Sequence, residues 1–331
     1  MKAFVVGGYK DPLEFAAVAE PVVAEREVLV EVEAAGLNPL DEKIRRGEFR
    51  QILPYKPPFV LGHDLAGTVV AVGSKVRGFQ PGDEVYARAA DHRIGAFAER
   101  IAVAEADLAR KPTSVSMGEA ASLPLVALTA WQALVERGRL RAGQQVLIHA
   151  GAGGVGSIAI QLAKHLGATV ATTASAPNAE FVRELGADVV VDYRTQDFEQ
   201  ALGGVDLVLD SLGGANLEKS LRILRPGGKA IGIAGPPDAA FAREIGAGTA
   251  LRLATSALSA GIRRRARKLG VTYEFLFMHA SGDQLRELTA LIDSGAIRPI
   301  VGKTVPFDQI PAALGALGHG GIRGKTVAVK V

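Results

Sequence analysis

The chain has 331 residues, 48% apolar and 5% aromatic, with 39 glycines and no cysteine. That length exceeds one ordinary hydrophobic core and predicts two domains; the lack of cysteine excludes disulfides and thiolate-held metal centres and suits a reducing, cytoplasmic setting. The net charge of +3 does not by itself argue for nucleic acid, and no unbroken run of about 18 apolar residues marks a membrane span.

Residues 1–6 read as a first strand, since no long apolar stretch follows to make a signal peptide. Alternating strands are predicted at 27–35, 66–72, 84–88 and 99–103, separated by turns such as Phe79-Gln80-Pro81-Gly82-Asp83. Helical periodicity then covers 117–137. Strands at 146–149, 170–173, 189–191, 207–209 and 230–233 follow, mostly alternating with helical stretches, and 271–275 makes a sixth. This is the pattern of a doubly wound parallel sheet. A helix at 285–294 and a strand at 326–331 return to the earlier style. The fold class is therefore α/β: a β-rich domain (1–121 and 279–331) interrupted by a Rossmann domain (122–278), with the active site expected in the cleft between them. The basic run Arg263-Arg264-Arg265-Ala266-Arg267-Lys268 reads as a solvated helix face or loop. No aromatic residues interleave it, so nucleic acid is not an expected partner.

The strand at 146–149 runs into Gly151-Ala152-Gly153-Gly154-Val155-Gly156 and then an apolar-periodic helix. Gly151, Gly153 and Gly156 fit G-x-G-x-x-G in the strand–turn–helix setting of a dinucleotide site. The first would make the tight turn, the second admit a pyrophosphate, and the third let helix and strand pack. The free N–H groups of the helix would face the phosphates. An NAD site would place an acid about twenty residues on, yet residues 171–178 hold none. Ser175 and Asn178 can instead donate to a 2′-phosphate, which predicts NADPH. With no Arg or Lys in that loop, a site taking either cofactor stays open.

Further segments carry a resemblance: Gly36-Leu37-Asn38-Pro39-Leu40-Asp41-Glu42-Lys43, Pro58-Phe59-Val60-Leu61-Gly62-His63-Asp64-Leu65-Ala66-Gly67, Gly82-Asp83-Glu84-Val85-Tyr86, Gly186-Ala187-Asp188 with Asp192-Tyr193, and Arg323-Gly324-Lys325-Thr326. Over essentially its whole length the chain resembles the medium-chain dehydrogenase/reductase superfamily, in its zinc-free quinone oxidoreductase and enone reductase branch. The resemblance implies that the β-rich part is GroES-like. Where zinc-holding relatives carry Cys, His and Cys or Glu, this chain has Asn38, His63 and Leu125, which is short of three protein ligands. No metal is expected; His63 is expected to be hydrogen-bonded in a tight turn, and Asp64 to serve loop geometry and charge pairing. Without a Lewis acid, an acceptor that spreads incoming hydride charge suits the site, so quinones and enones are the implied substrates. No catalytic acid is singled out.

The resemblance also implies cofactor contacts. Asn38 and Lys43 would lie near the nicotinamide and Thr129 would hydrogen-bond in the cleft. Ala152, Gly153, Gly154 and Val155 would cradle the pyrophosphate, and Ser175, Asn178 and Tyr193 would surround the adenosine phosphate. Ser211, Leu212, Ile233 and Ala234 would border the nicotinamide ribose. Phe275, Leu276, Phe277, Arg323 and Gly324 would close over the ring. Asn38, Tyr55 and His63 are candidate substrate-cleft residues. Plainer readings remain open: Lys43 and Arg323 as surface charges, Thr129 bonding its own helix, Tyr193 capping a strand, Phe275 and Phe277 as core, and Tyr55 in a Pro-rich covering loop. Two other functions stay open, an enoyl-thioester reductase and a nucleotide-binding regulatory or RNA-binding protein of crystallin type. A homodimer is expected, with the strand at 271–275 able to pair edge to edge.

Overall fold

Residues 27–37 alternate inward and outward, with Val28, Val30 and Val32 fully buried, and this period of two makes a central strand. The computed structural model describes residues 1–53, 55–91, 93–317 and 321–330. It divides into two units, Met1–Leu128 with His279–Val331, and Thr129–Met278. Pro54 of the Tyr55 loop and Val331 of the expected last strand lie outside the described residues.

The first unit begins with β1 (Lys2–Val6), β2 (Leu13–Ala17), β3 (Glu27–Leu37), α1 (Pro39–Arg45), β4 (Phe59–Val60), β5 (Asp64–Val72), β6 (Glu84–Arg88), β7 (Arg100–Ala104), β8 (Leu108–Arg110) and α2 (Met117–Ala121). Helix α1 starts at Pro39, whose fixed φ suits a first helical position, and Asp41 accepts the Asn38 N–H at 2.9 Å. The single helix expected over 117–137 is broken. After α2 come α3 (Pro124–Trp131) and a turn, Gln132–Arg137, in which the Gly138 N–H bonds five residues back to Ala133. The break falls at Pro124, which has no N–H to offer the preceding turn.

In the second unit β9 (Gln145–Ile148), α4 (Gly154–His165), β10 (Thr169–Ala174), α5 (Ala179–Glu184), β11 (Val189–Asp192), α6 (Phe198–Ala201), β12 (Val205–Asp210), α7 (Gly214–Ile223), β13 (Leu224–Gly232), α8 (Ala239–Glu244), α9 (Thr249–Lys268) and β14 (Thr272–Phe275) follow one another. The six strands are all parallel, in the order β11-β10-β9-β12-β13-β14. The chain reverses its direction of travel across the sheet between β9 and β12, where α/β proteins hold ligands at the carboxyl ends of strands. Leu147, Val208, Leu217, Leu221 and Ala230 form part of its core; full burial of such a leucine is worth roughly 2 kcal/mol. The basic run at 263–268 lies in the last turns of α9, not in a loop.

The chain then re-enters the first unit through α10 (Gly282–Asp293), β15 (Val301–Pro306), α11 (Ile310–Ala316) and β16 (Lys325–Val329). Strand β16 pairs antiparallel with β3, giving the order β15-β16-β3-β5-β6-β8 with β7 also on β3; β2-β1-β4 form a separate sheet. In these registers Gly36 lies opposite Asp64, and Asp64 opposite Arg88. Ionisable side chains are thereby carried into the unit's interior.

Candidate active site

At the carboxyl end of β9 the backbone turns sharply. Ala150 adopts a φ of 53°, a left-handed conformation uncommon for alanine and typical of constrained functional turns. Thr173 holds the turn, its hydroxyl accepting the Ala150 N–H and its carbonyl the Gly151 N–H, both at 3.0 Å. A Cβ at Gly151 would meet the Thr172 hydroxyl at 2.1 Å, and one at Gly156 the Ala150 carbonyl at 2.3 Å. Only glycine fits either place. Gly153 is different, since its Cβ would find nothing nearer than 3.3 Å within the protein. As the N-cap of α4 it supplies no capping side chain, and the first turn holds no acid. The first-turn N–H groups of a 12-residue helix are thus presented to whatever lies beyond. Ala152, Gly153, Gly154 and Val155 are all half-buried there. A pyrophosphate fits that cradle.

Around it lie the carboxyl ends of the neighbouring strands. Ser175 follows β10 and is 8% exposed, and the Asn178 amide donates to its hydroxyl at 3.3 Å. No carboxylate stands between 171 and 178. Tyr193, after β11, is 59% exposed, with the Arg194 guanidinium 5.9 Å from its ring centre. After β12, the buried Asp210 carboxylate accepts the Leu212 and Gly213 N–H groups at 2.9 and 3.0 Å and so fixes Ser211 and Leu212. Ile233 and Ala234 follow β13, the Ile233 N–H bonding the Asp210 carbonyl at 2.9 Å. Phe275 and Phe277 both lean on the buried Phe241, at 5.2 and 5.5 Å between ring centres, while Leu276 is buried between them in sequence. Thr129 is buried on α3. The parallel topology therefore gathers the segments at 152–155, 175–178, 211–212 and 233–234 along one edge of the sheet.

The first unit holds a buried polar network. Asn38, Asp41, His63, Asp64 and Arg88 are 0–1% exposed, and Lys325 is 6% exposed. The Asp64 carboxylate accepts the Leu125 N–H at 2.9 Å, the Asn38 amide at 3.0 Å and the Lys325 ammonium at 3.3 Å. Lys325 also donates to the Leu37 carbonyl at 2.9 Å and to the Asn38 side-chain oxygen. Burial pushes the Asp64 carboxyl above the ordinary range, and Lys325 acts in the opposite direction. The His63 Nδ1 lies 2.6 Å from Asp41, while its Nε2, 4.0 Å from Asp91, has no hydrogen-bond partner among the described residues. Arg88 pairs with Asp91 and donates to the Ala89 carbonyl at 2.9 Å. The Tyr55 hydroxyl is buried and has no partner among the described residues; burial first, then the Asp91 carboxylate, raises its pKa. Its ring stacks on Phe59 at 5.3 Å. Lys43 and Arg323 are exposed. Gly324 has a φ of 66°, and a Cβ there would strike the Ile300 carbonyl at 2.1 Å.

Zinc does not fit these residues. Of the three positions that carry ligands in zinc-holding relatives, Leu125 has no donor side chain. Asn38 is already committed to Asp64 and to the Lys325 ammonium, whose positive charge opposes a second cation. No cluster of three or more His, Asp or Glu side chains suited to a metal occurs among the described residues.

Sequence reasoning singled out neither Lys325 nor Asp41 as a buried charge, and it passed over Arg88, Asp91 and Asp210. It also passed over His149, whose Nε2 lies 2.9 Å from the Ser220 hydroxyl and whose Nδ1 lies 3.2 Å from the Thr173 hydroxyl. Burial lowers the His149 pKa to about 4, against the opposing pull of Asp210, so the ring is neutral at pH 7 and serves as an uncharged strut beneath the glycine turn. A histidine inside the apolar run at 146–150 was the available signal.

The chain matches the family described as alcohol dehydrogenase GroES-like domain over residues 24–113, and zinc-binding dehydrogenase over residues 185–327. It is 37% identical to the mitochondrial NAD(P)H oxidoreductase RTN4IP1 of Danio rerio, across 99% of this chain and 90% of that protein. It is 35% identical to the chloroplastic NADPH-dependent alkenal/one oxidoreductase of Arabidopsis thaliana, across 100% and 80%. Among solved structures, the quinone oxidoreductase of Coxiella burnetii superposes with a TM-score of 0.86 at 31% identity, covering 100% of this chain and 99% of that one.

Proposed function

The chain belongs to the medium-chain dehydrogenase/reductase superfamily, in its quinone oxidoreductase and enone reductase branch, and on that premise we propose that it is an NADPH-dependent reductase of quinones and α,β-unsaturated carbonyl compounds. The observation that carries this reading is the uncapped start of α4 beside a β10 end that holds no acid.

When bound, NADPH supplies a hydride. The backbone N–H groups at 154–156 hold its pyrophosphate, and Gly153 leaves the approach open. Ser175 and Asn178 receive the 2′-phosphate, which an Asp or Glu there would repel. Ser211 and Leu212, fixed by Asp210, would border the ribose, and Phe275 and Phe277, which lean on Phe241, would close over the nicotinamide. A conjugated acceptor spreads the charge it gains, so orientation and ordinary hydrogen-bond donors suffice for its reduction. We place the protein in the cytoplasm, in keeping with its lack of cysteine. We further propose a homodimer that pairs through β14, an edge strand of its sheet.

The test is NADPH oxidation, followed by absorbance, with a small quinone and a panel of enones. Turnover with these acceptors and a preference for NADPH over NADH are expected. Tighter binding of NADH, or activity confined to long acyl thioesters, would overturn the reading. Salt-sensitive RNA binding without turnover would favour the regulatory alternative.

A further inference from the structure

Helix α9 spans 20 residues and buries one narrow face, made by Thr255, Ser259, Ile262 and Ala266. The opposite side is open, and two of its residues are out of place for a solvated helix. Leu253 and Leu258 are 68% and 65% exposed. Five residues apart, they stand about 140° from each other round the helix, with the exposed Ala254 and Ala257 lying lower between them. Two apolar walls with a low floor receive a ridge from a partner helix. A membrane-inserted helix would instead carry its bulk along the crest.

The charges on α9 point the same way. It contains no Asp or Glu and six cations: Arg252, Arg263, Arg264, Arg265, Arg267 and Lys268. Arg252 bonds the Ala247 carbonyl at 2.7 Å, and Arg265 pairs with Glu218. Arg263, Arg264, Arg267 and Lys268 make no ion pair among the described residues and lie in the last two turns. Arg264 follows Leu253 along the axis by about 16 Å. The face is thus apolar in its first half and cationic in its second.

We propose that this face of α9 docks an acidic amphipathic helix of another protein, with carboxylates against Arg263, Arg264, Arg267 and Lys268 and apolar side chains over Leu253 and Leu258. Acids favour the first turns of a helix, where they offset its dipole. The partner therefore runs antiparallel, its acidic start beside the cationic end of α9. A second copy cannot pair α9 on α9, because α9 offers no carboxylate to meet its own cations in either direction.

The probe is a labelled synthetic helix of about 20 residues, with glutamates in its first two turns and leucines at helical spacing beyond, set against a scrambled peptide of the same composition. Fluorescence anisotropy with the full chain should show the patterned peptide binding about tenfold or more tighter. Leu253→Ser with Leu258→Ser should cost about tenfold, and Arg263→Gln with Arg264→Gln should flatten the salt dependence. NADPH oxidation should be unchanged in all of these variants. Equal binding of the two peptides, or no binding at low salt, overturns the proposal. So does leucine-dependent flotation with phosphatidylglycerol vesicles, which would assign the face to a membrane. A fall in particle mass on Leu253→Ser and Leu258→Ser would assign it to self-association, and overturns the proposal equally.

Discussion

Lys325 brings positive charge to a place where Asp64 is fully buried. Replacing it by methionine removes the influence that opposes burial, so the Asp64 carboxyl moves still higher and takes up a proton in the folded state. A carboxyl raised in the fold favours folding at low pH and loses that advantage as pH climbs through its folded value. Lys325→Met should therefore lose stability from about pH 4 upward, more steeply than the parent. Urea midpoints across pH measure this, and parallel curves would refute it. His63→Ala takes away the ring nitrogen 2.6 Å from the buried Asp41 carboxyl, and a buried polar group left unsatisfied costs about 1–3 kcal/mol; an unmoved urea midpoint would show that the contact is dispensable. The lack of metal ligands at Asn38 and Leu125 was legible once the resemblance set those positions beside the ligands of zinc-holding relatives. The ammonium among Asn38, Asp64 and Leu37 was not, because 287 positions separate Lys325 from Asn38 and only the pairing of β16 with β3 joins them.

At the scale of elements, the strand–turn–helix at β9 and α4 was readable because its determinants are local: an apolar run, glycines at fixed offsets and a periodic helix. The three glycines nevertheless differ in kind. Gly156→Val would drive a Cβ into the Ala150 carbonyl and should abolish both NADPH binding and much of the thermal stability. Gly153→Ala brings a Cβ to 3.3 Å from the same carbonyl, a tight contact that a shift of a few tenths of an ångström relieves, so the melting temperature should fall far less than for Gly156→Val while NADPH affinity, read by fluorescence titration, falls by about tenfold. Equal damage to stability from both substitutions would contradict this division of roles. Ser175→Asp brings an acid to the end of β10; NADPH should then bind roughly ten- to a hundredfold more weakly, since each charge-assisted bond lost is worth about 1.5–3 kcal/mol. NADH should be little affected. Periodicity failed at 117–137, where it continues through Pro124 although the helix does not, and it left the basic end of α9 undecided between helix and loop.

For the molecule as a whole, NADPH binds the folded chain alone, so a hundredfold excess over its dissociation constant should stabilise by about 2.7 kcal/mol. A calorimetric scan with and without NADPH measures this, and an unmoved transition would count against the nucleotide reading. EDTA should leave both the transition and the turnover unchanged, because the donor set at Asn38, His63 and Leu125 does not fit zinc.

The sequence by itself determined the α/β class, the parallel alternation of strand and helix, the glycine turn and the absence of an acid after β10. Each of these depends on residues near one another along the chain, where steric and hydrogen-bonding preferences act directly. Tertiary structure alone decided which polar side chains meet in the interior: Asp41 with His63, and Asp64 with Asn38 and Lys325. Burying an ion is tolerable only beside a partner, and which partner arrives is set by strand register and by the return of β16 to β3, which no local pattern encodes.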